Sequence, residues 1–396
     1  MYGGGNIGRG FIAQLFYLSG YHTIFIDVND ELIEQINRDG KYPIYITKNG
    51  KYEKTFVENV SAVDGKDVEL AAEAIAKADI MATAVGVNIL KYIAHPIACG
   101  VKKRFQNNAV PLNIIVCENR IDANEYLKGL VEEWFVDEDN VKNYFHENFG
   151  FVEASIGRMV PAAPEQIKAR NKLAVCVEPY CELPVDKDAF VGEIPEIKNM
   201  VPFSPFEVYI QRKLFVHNMS HAVCAYLGYI TGAEYIWQAA NDLRIRYIAL
   251  GAQMDICRAM SKEHAIDMIP LVEYSYDLLG RYDNKLLGDT VARVGADTQR
   301  KLSHNDRIVG ALRMCKKHGI NSKYIKTALA AGLMFAPGGD KSSEEVSKYT
   351  IENGVSAALA KYCDIKDKSF CLEIAGIYRN LRKDRNAVFD KLIYGN

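Results

Sequence analysis

Apolar residues in the first half of the chain alternate between two spacings. They recur at helical spacing from Ile7 to Leu18, and residues 22–28 (HTIFIDV), apolar at 24–26, then predict a buried strand that ends at Asp27. A second helix is predicted from Asn29 or Asp30, either of which can cap it, to Gly40. This alternation of strand and helix is typical of βαβ units, so we predict an α/β fold with a doubly wound parallel sheet.

The apolar pattern then predicts an inserted antiparallel hairpin, which interrupts the alternation of strand and helix, and three more strands. Residues 42–63 resemble a hairpin that turns around Asn49-Gly50. Further strand candidates lie in residues 79–86, 112–119 and 151–160. Their carboxyl ends are expected to line the ligand crevice, because open α/β sheets bind ligands at that edge.

A glycine fingerprint precedes the first predicted helix. Gly3, Gly5 and Gly8 have the G-x-G-x-x-G spacing that turns sharply out of a strand and brings the backbone close to a pyrophosphate. Asp27 follows about twenty positions later, where a carboxylate accepts hydrogen bonds from an adenosine ribose and repels a 2′-phosphate. We therefore predict NAD rather than NADP as the cofactor.

The strand that should present this fingerprint is missing from the pattern, because only Met1 and Tyr2 come before Gly3. It would be a central strand of a parallel sheet, so we expect its loss to expose two strand edges, to weaken the cofactor site and to leave the N-terminal domain marginally stable. Met1 is then expected not to be the natural start, or the fragment is damaged. An upstream extension of about four to six apolar residues would supply the strand.

The spacing of apolar residues changes after residue 200. Pro202 and Pro205 are followed by long helical periodicity with few strand-like runs. We predict a Rossmann-like NAD-binding domain over 1–200 and a mostly α-helical substrate and catalytic domain over 201–396.

Composition narrows the class of partner. The 48 basic and 50 acidic residues nearly balance, which argues against nucleic acid or an anionic membrane as a partner. Nine cysteines without a C-x-x-C pair are typical of reduced thiols, and no apolar run reaches transmembrane length. We expect a soluble cytoplasmic protein that binds a small-molecule substrate and acts as a monomer or a small homo-oligomer.

The stretch 209–228 (YIQRKLFVHNMSHAVCAYLG) contains the candidate catalytic residues. On an α-helix, Lys213, His221 and Asn218 fall at roughly 0°, 80° and 140°, so three polar groups share one sector. A desolvated lysine can accept a hydroxyl proton, and amide and imidazole donors can hold a developing alkoxide. The alternative is a solvated surface lysine beside satisfied core polar residues.

Four segments together resemble the polyol-specific long-chain dehydrogenase/reductase family, namely GGGNIGRGFI, NIIVCENRIDAN, KLFVHNMSHA and DTVARVGADTQRKLSHNDRIVGAL. The family pattern K-x4-N-x2-H falls on Lys213, Asn218 and His221. The resemblance implies metal-free hydride transfer with NAD, with Lys213 as general base and the other two residues stabilising the oxyanion. The expected reaction interconverts mannitol 1-phosphate and fructose 6-phosphate.

The predicted cofactor-binding residues are Gly3, Gly5, Asn6, Ile7, Gly8, Asp27 and Asn119. Asn119 is included because the resembling family has a matching Glu-Asn pair at the end of the 112–119 strand.

A basic run suggests how a phosphorylated substrate would be recognised. Arg293, Arg300, Lys301 and Arg307 lie within fifteen residues, and arginine binds phosphate bidentately. We predict that one or more of Arg300, Lys301 and Arg307 contacts the substrate phosphate; the alternative is a solvated helix face partly neutralised by neighbouring aspartates.

Other activities stay open at this point. Gly157 stands where the family commonly has an aspartate, so a related polyol or sugar-acid (hexonate) dehydrogenase is an alternative. The truncated start also allows a non-catalytic nucleotide-binding protein. Metal catalysis and serine hydrolysis are not expected, because the chain has neither H-E-x-x-H nor G-x-S-x-G.

Overall fold

The structure is a computed structural model that describes residues 1–48 and 50–395. The chain divides into two compact units, Met1–Tyr209 and Ile210–Asn396. The sequence predicts a boundary near residue 200, with NAD binding by residues 1–200 and substrate binding and catalysis by residues 201–396. These two functions stay a prediction.

Among the residues that the structure describes, the first unit contains ten strands and seven α-helices. The strands are β1 Thr23–Asp27, β2 Lys41–Lys48, β3 Lys51–Glu58, β4 Val60–Asp64, β5 Met81–Thr83, β6 Leu112–Val116, β7 Phe149–Glu153, β8 Val175–Val177, β9 Leu183–Asp186 and β10 Met200–Phe203. The α-helices are α1 Ala13–Leu18, α2 Asp30–Asp39, α3 Val68–Ala76, α4 Leu90–Gln106, α5 Ala123–Glu132, α6 Asp139–Asn148 and α7 Glu165–Lys168. A π-helix, Gly8–Ile12, precedes α1, and 3₁₀ turns lie at Val87–Ile89 and Lys187–Ala189.

Tyr2 occupies the centre of the parallel sheet. It forms parallel bridges to Ile26 in β1 and to Thr83 in β5. Its amide donates to the Ala82 carbonyl at 2.8 Å, and its own carbonyl accepts from Ala84 at 2.9 Å. The order is therefore β4-β1-Tyr2-β5-β6-β7, which is the dinucleotide-binding order 3-2-1-4-5-6 when the start of the chain counts as the first strand.

The expectation of two unpaired strand edges is thus wrong at residues 1–3. Backbone hydrogen bonds run from Gly3 to the Ile26 carbonyl and from Ile26 to the Met1 carbonyl, each at 2.9 Å. The pairing is short, and a cavity of about 310 Å³ lies beside Met1, bordered by Ile24 and Ile80. Two residues cannot show a period, which is why the pattern of the sequence did not reveal this pairing.

Each face of the sheet is covered by its own apolar core. Phe25 belongs to one core cluster and its neighbour Ile26 to the other, as alternation along a strand requires. Ile114 and Ile115 in β6 divide in the same way. The sheet is therefore buried on both faces, as parallel sheets are.

The hairpin prediction is correct in part. β2 and β3 pair antiparallel from Lys41↔Glu58 to Lys48↔Lys51, while Asn49 lies outside the described residues. The segment after Asn59 is not part of the hairpin, because β4 pairs parallel with β1 instead. Asn59 has a φ of 58°, and this left-handed residue separates the two strands.

Within residues 210–395, the regular elements of the second unit are helices, apart from an isolated antiparallel bridge between Tyr235 and Thr290. Helix α8, Glu207–Gln211, spans the boundary and runs into a π-helix, Arg212–Asn218. A 3₁₀ turn lies at Lys285–Leu287. The remaining α-helices are α9 Met219–Thr231, α10 Ile236–Asn241, α11 Leu243–His264, α12 Ile269–Tyr282, α13 Val291–Gly295, α14 Thr298–Lys301, α15 Val309–Lys317, α16 Lys323–Gly332, α17 Lys341–Asn353, α18 Val355–Tyr362, α19 Lys368–Lys383 and α20 Arg385–Tyr394.

Helix α9 is the central helix of this unit. It packs against α10, α11, α13 and α16, and nearly all of its side chains from Met219 to Gly228 are buried. Residues at its amino-terminal end are therefore held by packing on several sides. Within the described ranges, no helix has the length and apolar character needed to cross a membrane.

Candidate functional site

The glycine turn in the first unit combines close packing with one open position. Gly3 has a φ of +94°, and a Cβ there would lie 2.5 Å from the Ala84 carbonyl oxygen. A Cβ on Gly8 would overlap the carbonyl oxygen of Gly3. A Cβ on Gly5, by contrast, meets nothing within 4 Å, and Gly5 and Asn6 are exposed. The turn is therefore held by Gly3 and Gly8 and leaves the backbone accessible at Gly5, as a dinucleotide-binding turn requires.

Asp27 lies beside this turn, at the carboxyl end of β1. Its Oδ2 accepts a hydrogen bond from the Gly4 amide at 2.6 Å, and its Oδ1 accepts one from the Asn29 amide at 3.0 Å. The carboxylate is partly exposed. The structure thus brings the predicted ribose-binding carboxylate and the glycine turn together.

Arg9 holds the same turn through its buried side chain. The sequence did not predict this role. Its buried guanidinium donates to the carbonyl oxygens of Gly4 and, at 3.2 Å, Leu173. The Tyr42 hydroxyl donates to the Arg9 carbonyl at 2.8 Å. Burial lowers the pKa of Arg9 from its ordinary value. An arginine inside a glycine motif gives no signal in the sequence that distinguishes such a structural contact from phosphate binding.

Glu118 joins the ends of two neighbouring strands. Its carboxylate accepts from the Val85 amide at 2.9 Å and from the Gly86 amide at 2.8 Å, and only 7% of the residue is exposed. Asn119 follows directly, at the edge of the sheet where ligands bind in such folds. Glu118 therefore has a structural role, and cofactor contact by Asn119 stays a prediction.

Gly157 faces an aromatic ring. A Cβ at this position would lie 3.3 Å from Cε1 of Tyr180, whose hydroxyl pairs with Glu182 at 3.2 Å. A larger side chain would require Tyr180 to shift. The space available to a carboxylate at position 157 is thus limited by Tyr180.

In the second unit, the three candidate catalytic residues lie where the π-helix meets α9. Lys213 and Asn218 belong to the π-helical segment and His221 to the first turn of α9. All three side chains are partly buried, which argues against a fully solvated lysine. The predicted angles of 0°, 80° and 140° are wrong in detail, because they assumed an α-helix and a π-helix takes more residues per turn.

Two imidazoles lie among the cations of this region. Burial lowers the pKa of His217 well below its usual value, and Arg281, His221 and Lys213 lower it further. Burial likewise lowers the pKa of His221, followed by the charges of Arg293, Arg307 and Lys301 in a longer set of nearby cations. Burial and nearby positive charge therefore favour the neutral form of both rings, with Lys213 near His217 and three cations of the basic run near His221.

Tyr282 holds His221 in place. The two rings stack with centroids 4.8 Å apart and planes 7° apart. The Tyr282 hydroxyl donates to the His217 carbonyl at 3.0 Å and pairs with the Ser220 hydroxyl at 3.0 Å. Gln253 in turn donates to Ser220 at 3.0 Å. This buried network fixes the amino-terminal end of α9.

Asp289 is another residue of this region that the sequence did not reveal. Its Oδ2 lies 3.6 Å from Nε2 of His221, and its Oδ1 accepts from the guanidinium of Arg293. Burial raises the pKa of the Asp289 carboxyl, an effect that Arg293 opposes. Asp289 stands just before the basic run, but nothing in the sequence placed it opposite a histidine some seventy positions earlier.

The three predicted phosphate contacts differ in exposure and pairing. Arg300 is half exposed and pairs with Asp297 at 2.7 Å and with Asp306 at 3.3 Å. Arg307 is 9% exposed and pairs with Asp306 at 2.8 Å. The buried Lys301 donates to the Val294 carbonyl at 2.7 Å.

Lys301 is the most perturbed of these cations. Burial, followed by the charges of Arg307 and Arg300, lowers its pKa to about 7. Arg300 and Arg307 pair with aspartates, as the alternative of a partly neutralised helix face anticipates, while the charges of Arg307 and Lys301 also act on His221. The predicted phosphate contacts stay a prediction. A cationic region around a partly buried lysine, amide and imidazole can bind a phosphorylated hydroxyl compound and remove a proton from it.

Comparison with known proteins supports this picture. Residues 1–199 match the family model of the mannitol dehydrogenase Rossmann domain, and residues 206–388 match that of the mannitol dehydrogenase C-terminal domain. The chain is 40% identical over 353 residues to a mannitol-1-phosphate 5-dehydrogenase of Brevibacillus brevis, covering 89% of this chain and 90% of the relative. It is 37% identical over 383 residues to the enzyme of that name from Thermoanaerobacter pseudethanolicus, covering 96% and 97%.

Solved structures show the same fold at low sequence identity. The ternary complex of Pseudomonas fluorescens mannitol 2-dehydrogenase with NAD and D-mannitol superimposes with a TM-score of 0.75 at 13% identity, covering 100% of this chain and 94% of that one. A substrate-free D-sorbitol dehydrogenase superimposes with a TM-score of 0.79 at 14% identity, covering 96% and 92%. The predicted fold class, a Rossmann-type domain followed by a helical one, is confirmed.

Proposed function

This chain belongs to the mannitol dehydrogenase family, and we propose that it is an NAD-dependent oxidoreductase that interconverts mannitol 1-phosphate and fructose 6-phosphate. The observation that carries the proposal is that His221 lies among the cations Arg293, Lys301 and Arg307, while the neighbouring His217 lies near both Lys213 and Arg307. A polyol phosphate needs both a proton acceptor and an anion site, and this part of the second unit supplies both. The names of the relatives at 40% and 37% identity point to the same reaction.

The first unit supplies the cofactor site. Exposed backbone at Gly5 and Asn6 fits a pyrophosphate, and the carboxylate of Asp27 fits the ribose of NAD. The full set of residues proposed to hold NAD is Gly3, Gly5, Asn6, Ile7, Gly8, Asp27 and Asn119. NAD, when bound, accepts the hydride.

Lys213 is the proposed general base. It removes the proton from the substrate hydroxyl as the carbon–oxygen bond becomes a carbonyl, and it returns that proton in the reverse reaction. Asn218 and His221 contact the same oxygen or its neighbours and hold the substrate in line. No metal ion takes part in this scheme.

The cations of residues 293–307 select the phosphorylated substrate. Arg307 and Lys301 are buried, so a phosphate bound to them is shielded from water and interacts strongly. The half-exposed Arg300 lies at the rim. We place the enzyme in the cytoplasm, as a monomer or a small homo-oligomer.

The first experiment is a substrate panel followed by NADH absorbance. The purified chain is given NAD with mannitol 1-phosphate, sorbitol 6-phosphate, mannitol or an aldonic acid. Turnover of mannitol 1-phosphate well above that of mannitol supports the proposal. Preference for an aldonic acid or for free mannitol would favour the alternative that the Gly157 position raises, and NAD binding without turnover of any polyol would indicate a non-catalytic protein.

A further inference from the structure

Asp289 divides its two carboxylate oxygens between two partners. Oδ1 accepts from Arg293, while Oδ2 lies 3.6 Å from Nε2 of His221, a few tenths of an ångström beyond a hydrogen bond. The backbone holds Asp289 in place, because its carbonyl accepts from the Ile236 amide at 2.9 Å and the next residue, Thr290, bridges to Tyr235. Only 8% of Asp289 is exposed. A buried, fixed carboxylate therefore faces one specific nitrogen of His221.

His221 has little freedom to turn away from this carboxylate. Tyr282 stacks on its face, and the Tyr282 hydroxyl is itself bonded to Ser220 and to the His217 carbonyl. Nε2 of His221 is buried and, in the part of the chain that the structure describes, has no hydrogen bond within standard distance. Asp289 Oδ2, 3.6 Å away, is an acceptor that a small shift would bring into hydrogen-bond distance. Such a shift is favourable, because a buried polar nitrogen without a partner is costly.

We propose that Asp289 is the positioning residue that keeps the proton of neutral His221 on Nε2 and so presents Nδ1 to the substrate as a hydrogen-bond acceptor. This inference rests on the proposed function, in which His221 contacts the substrate. A carboxylate can only accept hydrogen bonds, and a neutral imidazole has one donor and one acceptor nitrogen. Fixing the donor at Nε2 therefore leaves Nδ1 as the acceptor.

His221 and Asn218 then have different roles toward the substrate hydroxyl. With Nδ1 unprotonated, His221 accepts a hydrogen bond from a substrate hydroxyl and orients it. The side-chain amide of Asn218 is then the neutral donor available to a developing alkoxide. Asn218 and His221 therefore do not both stabilise the oxyanion. His221 accepts a hydrogen bond from the substrate, and Asn218 donates one to the developing alkoxide.

Arg293 makes the charge state of Asp289 testable. A carboxylate has enough oxygens for both Arg293 and His221, whereas the amide of Asp289→Asn has a single acceptor oxygen. Arg293 will take that oxygen, because a hydrogen bond from a charged donor is the stronger one. The amide NH₂ then faces Nε2 of His221 and donates to it, which forces the proton of the imidazole to Nδ1.

Nitrogen NMR of the full chain labelled with ¹⁵N-histidine reads this tautomer directly. The chain has eight histidines, and His221→Gln identifies the signals of His221 by their loss. We expect the wild-type spectrum to show a protonated Nε2 and an unprotonated Nδ1 for His221, and Asp289→Asn to reverse the pattern. A wild-type proton on Nδ1, or an Asp289→Asn spectrum identical to the wild type, would overturn the inference. If the variant does not fold, the wild-type spectrum alone still decides which nitrogen carries the proton.

Glu263→Gln is the matched control. Glu263 is a carboxylate that contacts Nε2 of another histidine, His318, at 2.6 Å. The same change from carboxylate to amide should alter the signals of His318 and leave those of His221 unchanged. Movement of the His221 signals in this control would mean that the Asp289→Asn effect is not local, and the inference would fail.

The spectrum also separates this inference from the proposed function. The spectrum needs neither substrate nor turnover. If the protein is inactive on all polyols but its His221 carries the proton on Nε2, the proposed function is contradicted while the role of Asp289 in fixing the tautomer is supported. In an active enzyme, Asp289→Asn should lower kcat by about tenfold or more, because the wrong tautomer faces the substrate, with the Kd for NAD unchanged. An unaltered kcat in a variant with a reversed tautomer would contradict the positioning role.

Discussion

The imidazole of His221 and the phenol of Tyr282 lie face to face, with ring centroids 4.8 Å apart and planes 7° apart. Stacking fixes the plane of the imidazole, while the hydroxyl of Tyr282 is bonded at the opposite end to Ser220 and to the His217 carbonyl. One tyrosine therefore links the buried network under α9 to the candidate catalytic histidine. The two functions of Tyr282 can be separated by substitution.

Tyr282→Phe keeps the ring and removes the two hydroxyl hydrogen bonds. We expect the free energy of unfolding to fall by about 1–3 kcal/mol, because buried partners are left unsatisfied, and kcat to stay close to the wild type. Tyr282→Leu removes the stacking as well, so kcat should fall too. Urea unfolding and steady-state kinetics measure both. Equal losses of kcat in the two variants would show that stacking is not what holds His221.

Lys213→Ala should nearly abolish turnover and leave cofactor affinity close to that of the wild type. Loss of a general base typically costs about 10²- to 10⁴-fold in rate, so we expect a fall of kcat in that range with the Kd for NAD as in the wild type. Lys262→Ala, at an exposed lysine of the same unit, is the control and should keep full activity. Turnover retained in Lys213→Ala would remove Lys213 from the mechanism.

Asp27→Ala should weaken the binding of NAD and reduce the preference for NAD over NADP. The carboxylate is proposed to accept from the ribose and repel a 2′-phosphate, so we expect the Kd for NAD to rise about tenfold, the equivalent of a single charged hydrogen bond. The Gly4 amide also loses its partner, so thermal unfolding is measured alongside calorimetric binding.

Asp64→Ala controls for the loss of an aspartate at a strand end. Asp64 is the register partner of Asp27 on the neighbouring strand, and its Oδ1 accepts from the Lys66 amide. We expect the Kd values for NAD and NADP to be unchanged in this variant. Equal effects of the two substitutions would assign the loss to the fold of the sheet edge rather than to ribose recognition.

Arg307→Ala should raise the KM for mannitol 1-phosphate more than it lowers kcat. A buried guanidinium that binds phosphate contributes about 1.5–3 kcal/mol, which corresponds to a rise of roughly 10- to 100-fold. Any residual turnover of unphosphorylated mannitol should be unaffected. Arg313→Ala, at an exposed arginine that bonds to Asn305, is the control. Parallel losses with both substrates would place Arg307 in the structure rather than in phosphate recognition.

The pKa of Lys301, lowered to about 7, predicts a pH dependence of stability. Between that value and the ordinary lysine pKa, the unfolded chain binds more protons at this position than the folded one, so the contribution to stability rises with pH and is lost as pH falls through about 7. Lys301→Met removes the group. The wild type should gain stability relative to Lys301→Met by more than about 1 kcal/mol from pH 7 to pH 10, measured by urea unfolding. A difference independent of pH would mean that Lys301 keeps an ordinary pKa in the folded protein.

The apolar pattern was sufficient for much of the first unit, because strands and helices of a doubly wound sheet differ in period. Strand β1 and helix α2, with its Asn29 cap and left-handed Gly40, form as predicted. The parallel partner of β1 was missed, because β4 follows the hairpin with only Asn59 between them. Local pattern shows where a strand is and says little about which strand it pairs with.

The candidate site could be predicted only where its residues are close in sequence. Lys213, Asn218 and His221 fall within nine positions and match a family pattern, so they were found together. Asp289 and Tyr282 approach His221 from other helices or loops, and such contacts depend on how α9, α12 and α13 pack. The partial burial of Lys213, Asn218 and His221 depends on the same packing, so sequence spacing could not predict it. The same holds for the lowered pKa values of His217 and His221.

The π-helix at Arg212–Asn218 places Lys213 and Asn218 through an irregularity as small as one residue. Removing a single residue from this segment would let it relax into an ordinary α-helix, which generally has better hydrogen-bond geometry. The lysine would then turn by about 100° relative to α9. A one-codon deletion here should therefore keep the fold and turn Lys213, the proposed base, away from His221. We then expect a genetic screen for stability to tolerate the shorter helix and a screen for growth on the substrate to reject it.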